Sequence, residues 1–167
     1  SLLNAKNYEI DDIDFILLVG GTSKIPLVEK LLSDKYGANK ILTATNEKFA
    51  VLDNAAYASV IARAAKANQA KVVVFGNNFT GKAVAPRAAV KLEAGLANSV
   101  TALPLSFNPF IVQKNIFNGK AIGQQQINSE VKVLSLAQNS FEIKEIGGTA
   151  TIESFDADLD DTKFTTQ

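Results

Sequence analysis

Leu17-Leu18-Val19-Gly20-Gly21-Thr22-Ser23-Lys24-Ile25-Pro26 is the stretch on which the reading of the fold turns. An apolar run, 15–19, of the kind found in a strand covered on both faces, stops at two glycines and two hydroxyls, and a proline then opens a helix. Gly20 and Gly21 admit dihedrals closed to other residues and let the main chain approach a ligand closely. The helix that follows points unpaired amides at the same place. This is the grammar of a strand whose carboxyl end meets an anionic or nucleotide ligand. Gly20, Gly21, Thr22, Ser23 and Lys24 are therefore the candidate nucleotide-binding residues.

Working outward, Leu27, Val28, Leu31, Leu32 and Tyr36 recur at helical spacing behind Pro26, and Gly37 offers a left-handed stop. Residues 40–43 can form a second short strand or an extended connection, and Asn46 is a candidate cap for a helix over 50–65 whose many alanines allow close packing. Near Ala67-Asn68-Gln69-Ala70 the character changes to β-branched clusters punctuated by Gly and Asn, which marks a boundary. Short strands are expected at 71–75, 88–92, 100–105, 109–113, 131–136, 141–146 and 149–155. Residues 156–167, with Asp156, Asp158, Asp160 and Asp161, read as a polar acidic tail.

Composition narrows the chemistry. Of 167 residues, 47% are hydrophobic, enough for real cores, and 17 basic residues balance 17 acidic ones. That balance leaves no global field to gather nucleic acid or anionic lipid. With neither cysteine nor histidine, disulfides, thiolate nucleophiles, imidazole bases and nearly every zinc arrangement are excluded. No run is long and apolar enough for a membrane span, and the start lacks the layout of a signal peptide. The opening Ser1-Leu2-Leu3-Asn4, without an initiator methionine, reads as a piece of a longer protein.

The segment Ile13-Asp14-Phe15-Ile16-Leu17-Leu18-Val19-Gly20-Gly21-Thr22-Ser23-Lys24-Ile25-Pro26-Leu27-Val28 resembles the adenosine-binding segment near the end of the ATPase domain in DnaK-type seventy-kilodalton heat-shock chaperones. Downstream, Asn46, Ala50, Val51, Ala55 and Ala56 agree with a second chaperone motif. Glu47, Lys48, Phe49 and Asn54 depart from it, so the chain looks like a divergent relative. Ile111-Val112-Gln113-Lys114-Asn115 and Phe141-Glu142-Ile143-Lys144-Glu145-Ile146-Gly147-Gly148 are similar to strands of the family's substrate-binding sandwich, and Thr101-Ala102-Leu103-Pro104-Leu105-Ser106 is a fainter match.

The resemblance implies an α/β segment of an actin-like ATPase domain over 1–67, a mainly-β, sandwich-like substrate-binding unit over 68–155, and the tail at 156–167. It implies ATP or ADP as ligand, with magnesium held by parts of the parent not present here. Extended apolar polypeptide clients or co-chaperones are the implied partners, and the cytoplasm, or alternatively the endoplasmic reticulum lumen, the implied compartment. The implied function is a fragment of an ATP-dependent chaperone, not expected to hydrolyse ATP by itself. A non-catalytic interaction scaffold, favoured by Lys48, Phe49 and Asn54, and a sugar-kinase-like or actin-like ATPase fragment are the alternatives.

Other features have plainer readings. Asn78-Phe79-Thr80 fits an N-glycosylation acceptor, which matters only for a secreted parent. The aspartates of 156–161 lack the glycine and terminal glutamate of a calcium loop. Phe107, Phe110 and Phe117 could line a peptide groove, although aromatics in a β unit are usually core.

Overall fold

The structure, a computed structural model, describes residues 16–19, 40–44, 53–141 and 151–155. The chain divides into two compact units, Ser1–Ala64 with Ile143–Gln167, and Ala65–Glu142.

In the first unit, β1 (Ile16–Val19), β2 (Lys40–Ala44) and β9 (Thr151–Ser154) form a parallel sheet in the order β1-β2-β9. Register is set by Ile16 opposite Ile41 and by Ile41 opposite Ile152. These strands fall where the apolar runs predict them. Helix α1 (Asn54–Ala67) follows. Its cap is Asp53, whose carboxylate accepts from the amides of Ala55 (2.8 Å) and Ala56 (3.2 Å), satisfying donors that a helix start leaves open. Ala56, Ala58, Val60, Ala62 and Ala64 are buried, so the small-residue face is a packing face. The candidate cap Asn46, the helix behind Pro26, all but the first residue of the strand expected at 141–146 and the tail at 156–167 lie outside the described residues.

The second unit is built on a mixed sheet. β3 (Val72–Gly76), β8 (Lys132–Leu136) and β4 (Gly95–Val100) run parallel in the order β3-β8-β4. From β4 the chain reaches β5 (Ser106–Phe107), turns at Asn108 and a cis Pro109, and returns along β6 (Phe110–Ile116). β4 and β5 both pair antiparallel with β6. A turn over Phe117–Gly119 then leads to β7 (Ala121–Ile127), which pairs with the whole length of β6. One core gathers Ala97, Val100, Phe110, Val112, Ile127 and Leu134, which come from β4, β6, β7 and β8.

Between β3 and β4 runs helix α2 (Phe79–Lys91), a helical crossover being the usual link between parallel strands of one sheet. Its presence corrects the strand expected at 88–92. Ala88-Ala89-Val90 reads as a buried β run in isolation, but Gly81, Val84, Ala85, Ala88 and Ala89 are buried at three- and four-residue spacing, a helical face. Asn78 caps the helix and Leu92 ends it. Two further expectations change. The strand expected at 100–105 lies earlier, at Gly95–Val100, with a break before β5. Strand β7 was not foreseen, because Gln124-Gln125-Gln126 has the look of a polar loop.

Candidate functional site

Ligands of open parallel α/β sheets bind beyond the carboxyl ends of the strands. In the second unit those ends belong to β3, β8 and β4, and a polar cluster joins them. Asn77, one residue past β3, is joined to β8 and, beyond it, to β4. The hydroxyl of Ser135 on β8 donates to Asn77 Oδ1 (2.8 Å), and Asn77 Nδ2 donates to Ser99 Oγ on β4 (3.2 Å). The Asn77 amide donates to the carbonyl of Leu136 (2.9 Å), and the Ala137 amide to that of Val100 (2.8 Å), so the backbone is locked on the same line.

Local sequence explains this geometry. The β4–β8 register slips between Ala97 and Val100, and a residue inside the slip, Ser99, has φ +59°. A left-handed serine in a bulge re-aims its hydroxyl out of the strand's regular alternation. Ser135 is 1% exposed, and a buried hydroxyl needs the partner that Asn77 supplies.

The start of α2 closes the cluster from one side. Asn78 Oδ1 accepts from the amide of Gly81 (2.7 Å). A Cβ on Gly81 would stand 1.8 Å from the carbonyl oxygen of Gly76, so only glycine lets the first helical turn sit on the end of β3. Beneath it lies a hollow of about 40 Å³ bordered by Asn77, Lys82, Leu96, Asn98 and Ser135. That is space of the order of one water.

At the opposite edge of the sheet a groove of about 270 Å³ is bordered by Lys66, Gln69, Lys71, Leu92 and Glu130. Lys71 pairs with Glu130 across it. The hydrogen bond from the Lys71 ammonium, and its charge, hold the Glu130 carboxyl below the usual 4.5. Both side chains are well exposed to water, so this is a solvated pair of slight energetic weight.

Chemically, the polar cluster offers amides and hydroxyls that hold groups by hydrogen bonds and carry no titrating proton at neutral pH. Among the described residues no three carboxylates gather as metal ligands would. Of the sequence-predicted residues, Gly20, Gly21, Thr22, Ser23 and Lys24 lie outside the described residues, as do Lys48 and Phe49. Asn78 is a helix cap, its Oδ1 accepting from the Gly81 amide. Phe110 is buried in the core and meets Phe107 edge-on at 6.0 Å between ring centres, while Phe117 lies apart from them on the β6–β7 turn. These rings therefore line no shared groove. Sequence reasoning missed Asn77, Ser99 and Ser135, which are polar residues at strand ends with no motif to mark them.

A family model described as the electron transfer flavoprotein domain matches residues 14–160. The chain belongs to the electron transfer flavoprotein domain family. It is similar to the electron transfer flavoprotein subunit alpha of Bacillus subtilis, 25% identical over 128 residues, which cover 75% of this chain and 39% of that protein. The Syntrophomonas wolfei protein of the same name is 27% identical over 116 residues, covering 70% of this chain and 36% of its own length. The matches thus span little more than a third of those relatives. A heat shock protein homolog of Encephalitozoon cuniculi is 36% identical over 76 residues, 44% of this chain and only 11% of that protein.

These findings overturn the chaperone reading. The family match runs across the Gly-Gly segment and the β-rich half together, whereas the heat-shock likeness is local. Assignment as an ATP-dependent chaperone is therefore corrected to the electron transfer flavoprotein family. ATP or ADP with magnesium as cofactor, and apolar polypeptide clients or co-chaperones as partners, fall with it. The relatives are named as subunits, proteins that work with partner chains. Among the described residues no helix is long and apolar enough to cross a membrane.

Proposed function

We propose that this chain is part of a flavin-dependent electron-transfer protein, in which it supplies a folded support for a partner subunit rather than the walls of the flavin site. The observation that carries the reading is the family match over residues 14–160, taken with the relatives' description as electron transfer flavoprotein subunits. A flavin needs an enclosed, largely apolar cavity of roughly 300–1,000 Å³ with rings or aliphatic walls against its own ring system. The hollow of about 40 Å³ at the strand ends is far too small, and no aromatic side chain borders the groove of about 270 Å³. The described residues of the second unit therefore do not fit a flavin. We place it on residues outside 53–141 or on a partner chain, and no step of electron transfer is assigned to Asn77, Ser99 or Ser135. Their role in this reading is to fix three strand ends to one another.

The test is to purify the protein from its own cells under mild conditions, with whatever chains remain bound, and record its visible absorption. Bound oxidised flavin that dithionite bleaches and an added acceptor restores supports the reading. Preparations free of flavin refute it. Asn77→Ala within the same preparation should lower thermal stability and leave the flavin content unchanged, because Asn77 holds strands and not the cofactor.

A further inference from the structure

Asn118-Gly119 is the one asparagine–glycine pair in the sequence, and the fold puts it at the tip of the β6–β7 hairpin. Ile116 opposite Ala121 is the last pair of that ladder, so residues 117–120 lie beyond its end, and all four are exposed. The backbone there is left-handed at Phe117, Asn118 and Gly119 (φ +50°, +55° and +83°), a region that asparagine and glycine enter more readily than most residues. The Asn118 side chain makes no hydrogen bond among the described residues. Around Gly119 there is open space, with nothing within 4 Å of where a Cβ would stand. We propose that Asn118 is a site of spontaneous deamidation, its amide lost through a cyclic imide formed with the Gly119 nitrogen.

The chemistry follows from the missing side chain of glycine. Asparagine is a thermolabile residue because the backbone nitrogen of the residue after it can attack its amide carbon, and glycine leaves that nitrogen unhindered. Once water or hydroxide takes the Gly119 amide proton, the nitrogen bonds to Asn118 Cγ, the Cγ–Nδ2 bond breaks, and Nδ2 leaves as ammonia with a proton from solvent. Water then opens the imide at either carbonyl. One product is aspartate. In the other, isoaspartate, the main chain runs through the former side-chain carbonyl, which lengthens it beside the Ile116–Ala121 pair. Water enters, ammonia leaves, and nothing is oxidised or reduced. Attack requires rotation about the Asn118 ψ, which is 37° in the closed turn. What resists that rotation is one 3-10 turn, with the Lys120 amide donating to the Phe117 carbonyl (3.1 Å), a type of bond with poorer geometry than those of an α-helix. Other asparagines are held differently. Asn77, Asn78 and Asn128 each accept a hydrogen bond at the side-chain oxygen, and Asn108 precedes a proline, which has no amide proton to lose. Asn139 is the matched comparison, exposed and left-handed (φ +57°) but followed by serine.

The test is to age the full chain in native buffer near neutral pH, digest samples over time under mildly acidic conditions that halt the reaction, and follow the asparagine-containing peptides by mass spectrometry. The Asn118 peptide should gain the mass difference between a hydroxyl and an amino group, separate into two isomers, and accept methyl groups from an isoaspartate-specific methyltransferase. Its conversion should run at least about tenfold faster than that of the Asn139 peptide. Asn118→Gln keeps an amide but requires a larger ring, so it should abolish the change in that peptide. Three results would each overturn the proposal: an Asn118 peptide that stays intact in native buffer over a time in which the denatured chain converts, equal rates at Asn118 and Asn139, or an Asn118→Gln peptide that changes as fast as the parent. None of these readouts involves flavin, so their failure leaves the proposed function standing, and the reverse.

Discussion

Gly81 and Ser135 show how single residues position the carboxyl edge of the second unit. Replacing Gly81 by alanine drives a Cβ to 1.8 Å from the Gly76 carbonyl oxygen, and backbone, unlike a side-chain tip, cannot swing away. Gly81→Ala should therefore cost about 3 kcal/mol, the upper part of the range for overpacking, measured by denaturant unfolding of the full chain. A change under about 0.5 kcal/mol would mean that the helix start can shift freely. Ser135→Ala removes a buried hydroxyl and leaves Asn77 Oδ1 without its donor, so the expected loss is about 1–2 kcal/mol. Neither site was legible in the sequence. A glycine two residues into a helix and a serine inside Val133-Leu134-Ser135-Leu136 acquire meaning only when another strand or helix is laid beside them.

Elements were legible where a signal was local. Strands β1, β2, β3 and β8 follow from continuous apolar runs, which need no partner to be recognised. The second half of helix α2 is ambiguous in the sequence because Ala88-Ala89-Val90 satisfies either period, and the deciding signal is the Asn78 cap well upstream, inside a triplet that also fits a glycosylation acceptor. The cap makes its own prediction. Asn78→Ala should destabilise by about 1 kcal/mol, and Asn78→Asp should be neutral or stabilising, since a carboxylate caps as well and suits the positive end of the helix. Melting of the two variants checks this; equal losses would deny the cap.

At the amino ends of β3 and β8 the Lys71–Glu130 pair predicts a pH effect of known sign. A carboxyl lowered on folding contributes its stability above the unfolded value near 4.5, and loses it as pH falls through the folded value. In a residue-resolved titration Glu130 should have its midpoint below 4.5, and Lys71→Ala should bring it back up with little change in melting, as befits an exposed pair.

For the whole molecule, the sequence carried a local likeness further than it could reach. A strand followed by two glycines and a helix is a pattern that many α/β proteins share, so the reading of Leu17 to Pro26 does not tell which machine the chain serves. The match over residues 14–160 instead spans residues of both units, and it is to the electron transfer flavoprotein domain. What a single segment could not reveal is, in the function we propose, a property of the assembly: which chain holds the flavin. The most direct measurement is the visible spectrum of the native protein, purified with its bound chains and titrated anaerobically with dithionite. The account predicts an oxidised flavin band that bleaches stepwise and returns when an acceptor is added. A native preparation with no flavin, and no band to bleach, would contradict it.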